Sequence, residues 1–182
     1  MGDKTISRQR LVEHLTPPAG ASVPPYPAAR DLAYRASLWA LSGSLLALAA
    51  AMVIPSRALA EAAAAGATLA NLAASWTFLV WMPSWRWAVR SLAWAGLMGW
   101  AFSLPILLWG GILTASAVMA AKEHHCFRFW PGRWIPWMSL ATGVAWLVHL
   151  SAAVIVLFGV LGMLWAVLLW QRSKLPLFTV DG

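Results

Sequence analysis

Cysteine occurs once, at Cys126, so no intrachain disulfide can form and the paired-cysteine zinc motifs are excluded. Acidic residues number only six, and charged residues of both signs make up 10% of the 182 residues. An ordinary soluble domain carries about 25%. So little charge cannot cover the surface of a water-soluble chain of this length. The carboxylates are also too scattered for paired acid–base chemistry, since Glu61 and Glu123 fall toward opposite ends of the apolar tracts. A nucleophilic serine would need a histidine at matching depth and an oxyanion hole. Ser151 and His149 are neighbours, but nothing marks such a hole, so no enzyme is expected. The net charge of +7 does not indicate nucleic acid, because the cations form neither a stripe nor a tail. They fall in small groups between apolar tracts, as membrane-flanking charges do.

Apolar residues make up 61% of the chain, with mean hydropathy +0.70 and 14 tryptophans. Lipid is the solvent that suits this composition. Residues 1–33 are polar and proline-rich, with the run TPPAGASVPPYPAAR, and are expected to form an extended cytoplasmic tail. They do not read as a cleavable leader, and the first apolar tract is expected to remain as an anchor. A crossing takes about 20 apolar residues. The tracts at 34–54 and 59–81 fit, ending at Pro55 and Pro83. The next tract runs to Ala121 and is too long for one crossing; Pro105 divides it into 85–102 and 105–121. The last, 134–170, is also too long and is divided at His149-Leu150-Ser151, its most polar point, into 134–149 and 152–170. Residues 34–171 are therefore expected to be an all-α, polytopic transmembrane bundle of six crossings, and 172–182 a second cytoplasmic tail.

Charge orients this bundle. With both termini cytoplasmic, twelve of the thirteen lysines and arginines lie on the inner side, and only Arg57, near Glu61, lies outside. Five crossings would send Arg172 and Lys174 outward. Trp39, Trp81, Trp85, Trp87, Trp130, Trp134, Trp137 and Trp170 fall near the expected helix ends, as an interfacial belt would. The implied setting is a bacterial inner membrane, cytoplasmic or intracytoplasmic. Gly43, Ala47 and Ala51 recur every four residues, as do Gly66, Ala70 and Ala74. Such ridges let helix backbones approach closely, within the bundle or against another subunit.

The stretch AAKEHHCFRFWPGRW, residues 120–134, is the densest in polar groups. It is expected to be the inner loop between the fourth and fifth helices, with Arg128 and Arg133 reaching lipid phosphates and Pro131-Gly132 making a turn. His124, His125 and Cys126 carry metal-ligand chemistry, yet successive helical residues diverge by about 100°, so no metal site is expected. Two histidines holding one haem must share a depth, and His149 lies about 24 Å along the last tract from Trp134. His149 alone remains a candidate for a chlorophyll-type pigment or a five-coordinate haem. Thr68, Asn71, Ser75 and Thr114 are candidates for a polar transport path, with Asn71 the strongest.

The run Ala120-Ala121-Lys122-Glu123-His124-His125-Cys126-Phe127-Arg128 resembles domain-of-unknown-function family 2301, a group of polytopic integral membrane proteins. Pro136 and His149-Leu150 match its following proline-bearing helix and His-Leu pair, and the likeness spans roughly residues 34–170. The resemblance implies a multi-helix membrane protein from a family with members in photosynthetic lineages, and makes Lys122, Glu123, Cys126 and Arg128 the positions to carry over. Lys122 and Glu123 are expected to pair at the interface and pin the loop, with Phe127 and Phe129 alternating into lipid. The function expected is that of a non-catalytic accessory or structural subunit bound to a larger photosynthetic or respiratory membrane complex. Its partners are then lipid and other membrane subunits, and it carries no cofactor. The alternatives are a small transporter or channel using Asn71, and a pigment- or haem-binding protein using His149.

Overall fold

The structure, a computed structural model, describes residues 25–80 and 82–178, and the expected tail before residue 25 lies outside them, as does Trp81. Six α-helices account for most of the described residues: α1 (Ala28–Val53), α2 (Arg57–Thr77), α3 (Pro83–Ala101), α4 (Pro105–Phe127), α5 (Trp130–Leu147) and α6 (Ser151–Ser173). Connections of two to five residues make consecutive helices antiparallel. Each helix packs on the next, α6 returns to α1, and α2 also touches α4. The result is a closed ring of helices. One end of it, the clasp end, gathers the start of α1, the last turns of α2, α4 and α6, and the first turns of α3 and α5.

Local chemistry explains the breaks. Ser56 caps α2 by accepting from the Leu59 N–H at 3.3 Å. Pro83 and Pro105 begin α3 and α4, where a missing N–H costs nothing. The division at His149 holds although neither proline nor glycine stands there: His149 takes φ 59°, as do Ser103 (54°) and Arg128 (57°) at the other tight connections. Each left-handed residue turns the chain out of one helix and into the next.

Five boundaries differ from expectation by three residues or more. α2 ends at Thr77, four residues before the expected end at residue 81. α1 begins at Ala28, six residues before the expected start, because Asp31 and Arg35 find partners inside the bundle. α4 does not end at Ala121 but continues through KEHHCF to Phe127, and α5 begins at Trp130. The expected inner loop thus shrinks to Arg128 and Phe129. Pro131-Gly132 is not a turn but the first helical turn of α5. Glycine is required there, since a Cβ on Gly132 would lie 2.6 Å from the Ala120 carbonyl oxygen of α4. α6 likewise runs past Trp170 to Ser173.

Among the described residues, three helices are long and apolar enough to cross a membrane: α1, α4 and α6. The other three carry more polar content, with Arg57, Glu61 and Asn71 in α2 and Arg86 and Arg90 in α3, while α5 has 18 residues with Pro136 inside. Every described lysine and arginine except Arg57 lies toward the clasp end. Trp85, Trp87, Trp130, Trp134 and Trp170 are exposed there. Trp39, expected near a helix end, is eleven residues into the lengthened α1.

Close packing uses most of the small residues expected and adds others. Ala51, Ala70 and Ala74 are buried, and a Cβ on Gly66 would lie 2.6 Å from Ser44 Oγ of α1. Ala47 is half-buried, whereas Gly43 faces outward with open space around it. The tightest approach joins α3 to α4: a Cβ on Gly111 would lie 2.5 Å from the Gly96 nitrogen, and one on Gly99 2.1 Å from the Leu108 nitrogen. Gly162 of α6 meets Ser42 of α1, whose hydroxyl donates to the Gly162 carbonyl at 2.8 Å.

Candidate functional site

A buried ion network closes the clasp end, and each of the three helices long and apolar enough to cross a membrane supplies one of its central members. Asp31 comes from the first turn of α1, Glu123 from the end of α4 and Arg172 from the end of α6, all at most 1% exposed. Arg172 donates to Asp31 Oδ1 at 2.7 Å and to Glu123 Oε2, so one guanidinium bridges two carboxylates. Glu123 Oε1 also accepts from Lys122 Nζ and from the Tyr34 hydroxyl, each at 3.2 Å. Asp31 Oδ2 accepts from Arg35 Nε at 2.9 Å. Three cations thus face two carboxylates, a net charge of +1, with the carboxylates and Arg172 sealed from solvent and Arg35 and Lys122 at the partly exposed edge.

Aromatic rings wall the network. The Arg172 guanidinium lies 4.9 Å from the centre of the Tyr34 ring, 5.4 Å from Phe127 and 5.5 Å from Phe178. Phe178 stacks on Phe127 with centroids 5.4 Å apart and planes 5° from parallel, and Tyr26 joins them in a small apolar cluster. Arg172 Nε has no partner among the described residues.

Helix ends are tied into the same structure. Arg35 donates to the carbonyls of Arg172, Leu175 and Pro176 at 3.1, 3.0 and 2.7 Å, tying the last turn of α6 and the residues after it to α1. Arg30 donates to the Trp76 carbonyl at 2.8 Å and Tyr26 to the Thr77 carbonyl at 3.0 Å, which does the same for α2. Burial pushes the Tyr26 hydroxyl well above its ordinary pKa, so it stays a donor. Asp31 at the start of α1 and Arg172 at the end of α6 both match the helix dipole; Glu123, near the end of α4, opposes it and depends on its cations.

The expected residues divide. Lys122 and Glu123 do pair, but as part of this buried network and not on a surface loop. Phe127 is turned inward at 4% exposure and does not enter lipid, while Phe129 is half-buried beside it, centroids 5.5 Å apart. His124 is half-buried with Nδ1 3.0 Å from the Phe129 carbonyl, His125 and Arg128 are exposed, and Cys126 is a half-buried free thiol. Among the described residues no group of three or more metal-ligating side chains comes together. Asp31, Tyr34, Arg35, Arg172 and Phe178 were not foreseen. The available signal was an acid in the first turn of one apolar tract and a guanidinium just after another.

Two further places bear on function. Thr68, Asn71 and Ser75 share the buried face of α2. The two hydroxyls bond to carbonyls of their own helix, whereas neither amide atom of Asn71 has a partner among the described residues. Thr114 is exposed on α4 and does not join them. At the far end, exposed His149 lies with Met52, Arg57, Trp146, Ser151 and Val154 on the wall of a hollow of about 630 Å³.

No family model, curated protein or solved structure matches this chain.

Proposed function

We propose that the chain is an integral membrane subunit of six crossings with both ends cytoplasmic, held together at its cytoplasmic face by the ion network. It serves a larger membrane complex and has no catalysis of its own. The observation that carries this reading is the apolar flank of the ring. Leu69, Leu140, Val144, Val156 and Met163 are all more than half exposed, on helices α2, α5 and α6. Such a surface requires lipid or another subunit over it. The lengths of α2, α3 and α5 support full crossings: at 21, 19 and 18 residues they extend about 27–31 Å, against a hydrocarbon core of about 30 Å. The concentration of cations at the clasp end supports its cytoplasmic placement. A photosynthetic or respiratory complex is the kind the resemblance to family 2301 implies. The test is purification in mild detergent followed by mass spectrometry. Stoichiometric recovery of other membrane subunits supports the reading, and recovery as a lone monomer overturns it.

A small transporter or channel is the second reading, favoured by the unpartnered Asn71 amide on the buried face of α2, beside Thr68 and Ser75. Flux in proteoliposomes that is abolished by Asn71→Leu decides for it. A pigment or five-coordinate haem on His149 is a third, favoured by the hollow beside it; a colourless purified preparation removes it.

A further inference from the structure

The first two turns of α3 contain an electrostatic conflict. The N-terminus of a helix is its positive end, where acids are favoured. Here the first turn has no acid, Met82 provides no side-chain cap, and Arg86 and Arg90 follow on one face. A third guanidinium, Arg30 of α1, is brought to the same place by Trp76 at the end of α2. Arg30 donates to the Trp76 carbonyl at 2.8 Å, and Arg90 lies over the Trp76 ring at 4.3 Å. Trp87 flanks Arg90 from the other side at 5.5 Å. Arg30 and Arg86 are the charges that act on Arg90, both of its own sign. Arg90 Nε has no partner among the described residues.

Arg30 and Arg90 meet at Trp76, one on its carbonyl and one on its ring, with Arg86 one helical turn before Arg90, and an anion among these like charges would relieve their repulsion. The neighbouring acids do not serve: Asp31 is committed to Arg35 and Arg172, and Glu123 to Arg172, Lys122 and Tyr34. We propose that Arg30 and Arg90, which meet at Trp76, together with Arg86 one helical turn before Arg90, bind the phosphate of an anionic phospholipid at the clasp end. Guanidinium forks match the geometry of phosphate oxygens, the free amides of the α3 terminus add donors, and exposed Trp85 and Trp87 suit the depth of a headgroup. The lipid as source of the phosphate rests on the membrane reading above. The phosphate chemistry does not, since inorganic phosphate carries the same anion.

The test uses the full chain in mild detergent. Native mass spectrometry compares retention of phosphatidylglycerol with that of phosphatidylcholine of the same acyl chains, while tryptophan fluorescence follows titration with inorganic phosphate. Phosphatidylglycerol is expected to be preferred, and Arg86→Gln and Arg90→Gln each to weaken its binding about fivefold, the scale of one surface cation. Arg57→Gln, at the opposite end, is expected to change nothing. Arg30 is left intact because it also ties down α2, and circular dichroism confirms that the variants keep their helicity. Equal retention of the two lipids, or retention unaffected by both variants, overturns the proposal. Tighter binding of inorganic phosphate than of phosphatidylglycerol overturns the lipid assignment. Recovery of the chain from the aqueous phase without detergent overturns the membrane reading, and the phosphate titration then judges the three arginines by itself.

Discussion

Arg172 donates to Asp31 across 141 residues of chain, joining the last turn of one helix to the first turn of another with a 2.7 Å hydrogen bond. Because the same guanidinium also holds Glu123, removing it leaves two buried carboxylates with one cation each, Arg35 for Asp31 and Lys122 for Glu123. Arg172→Met is expected to destabilise the protein by about 3–5 kcal/mol, the range for a buried pair that loses one partner. Arg172→Lys keeps the charge but loses the planar fork that reaches both acids, and should recover only part of this. Thermal unfolding in detergent, followed by near-ultraviolet circular dichroism, measures both.

The network also predicts what its periphery contributes. Phe178 covers Arg172, stacks on Phe127 and donates its backbone N–H to Asp31 Oδ2 at 3.4 Å. Phe178→Ala should cost about 3 kcal/mol, near the lower end for a buried phenylalanine. It should also raise amide exchange in the last turn of α6, which Arg35 ties to α1. Unchanged exchange there would mean that the residues after α6 do not brace the site.

Much of the helix count was legible in the sequence because proline and tract length report it locally. Pro83 and Pro105 mark starts, and the polarity of His149-Leu150-Ser151 marks a break that a left-handed His149 then makes. The ion network was not legible, because its members lie 49 and 141 residues from Arg172. Each looked locally like something else: Asp31 like tail, Arg172 like a loop cation, Glu123 like half of a neighbouring pair. The end of α4 was misread for the same reason. KEHHC resembles a loop until its charge is seen to have partners on other helices.

Glycine positions separate ring packing from open surface. Gly111→Leu should disrupt the α3–α4 contact, since even a Cβ would meet the Leu92 carbonyl oxygen at 2.5 Å. A loss of about 2–3 kcal/mol or failure to accumulate is expected, at or above the usual cost of overpacking. Gly43→Ala meets nothing within 4 Å and should be neutral or slightly stabilising, because alanine is the better helix former. Melting temperatures of the two variants should therefore move in opposite directions or differ by several degrees.

Asn71→Leu distinguishes a cost from a function. A buried amide with neither atom partnered is unfavourable by about 1–3 kcal/mol, so an isosteric apolar replacement should raise the melting temperature. Under the subunit reading, proteoliposome flux is the same before and after the change. A stabilised variant that has lost flux would instead identify Asn71 as a residue kept for transport.

Orientation has its own test. In a Cys126→Ala background, Lys174→Cys should react with an impermeant maleimide only from the cytoplasmic side, and Arg57→Cys, on a side chain 92% exposed at the other end, only from outside. Labelling of both from one side would remove the six-crossing arrangement.

The ring is sealed by its first and last helices, and that sets an order on its birth. During synthesis Asp31 is made early with Arg35 beside it, and waits for its second cation until α6 is made. Until then the acid has only Arg35 of its own helix opposite it, and a chain terminated before α6 never gains the guanidinium that ties it to Glu123 of α4. Synthesis of α6, closure of the ring and completion of the ion network become one event.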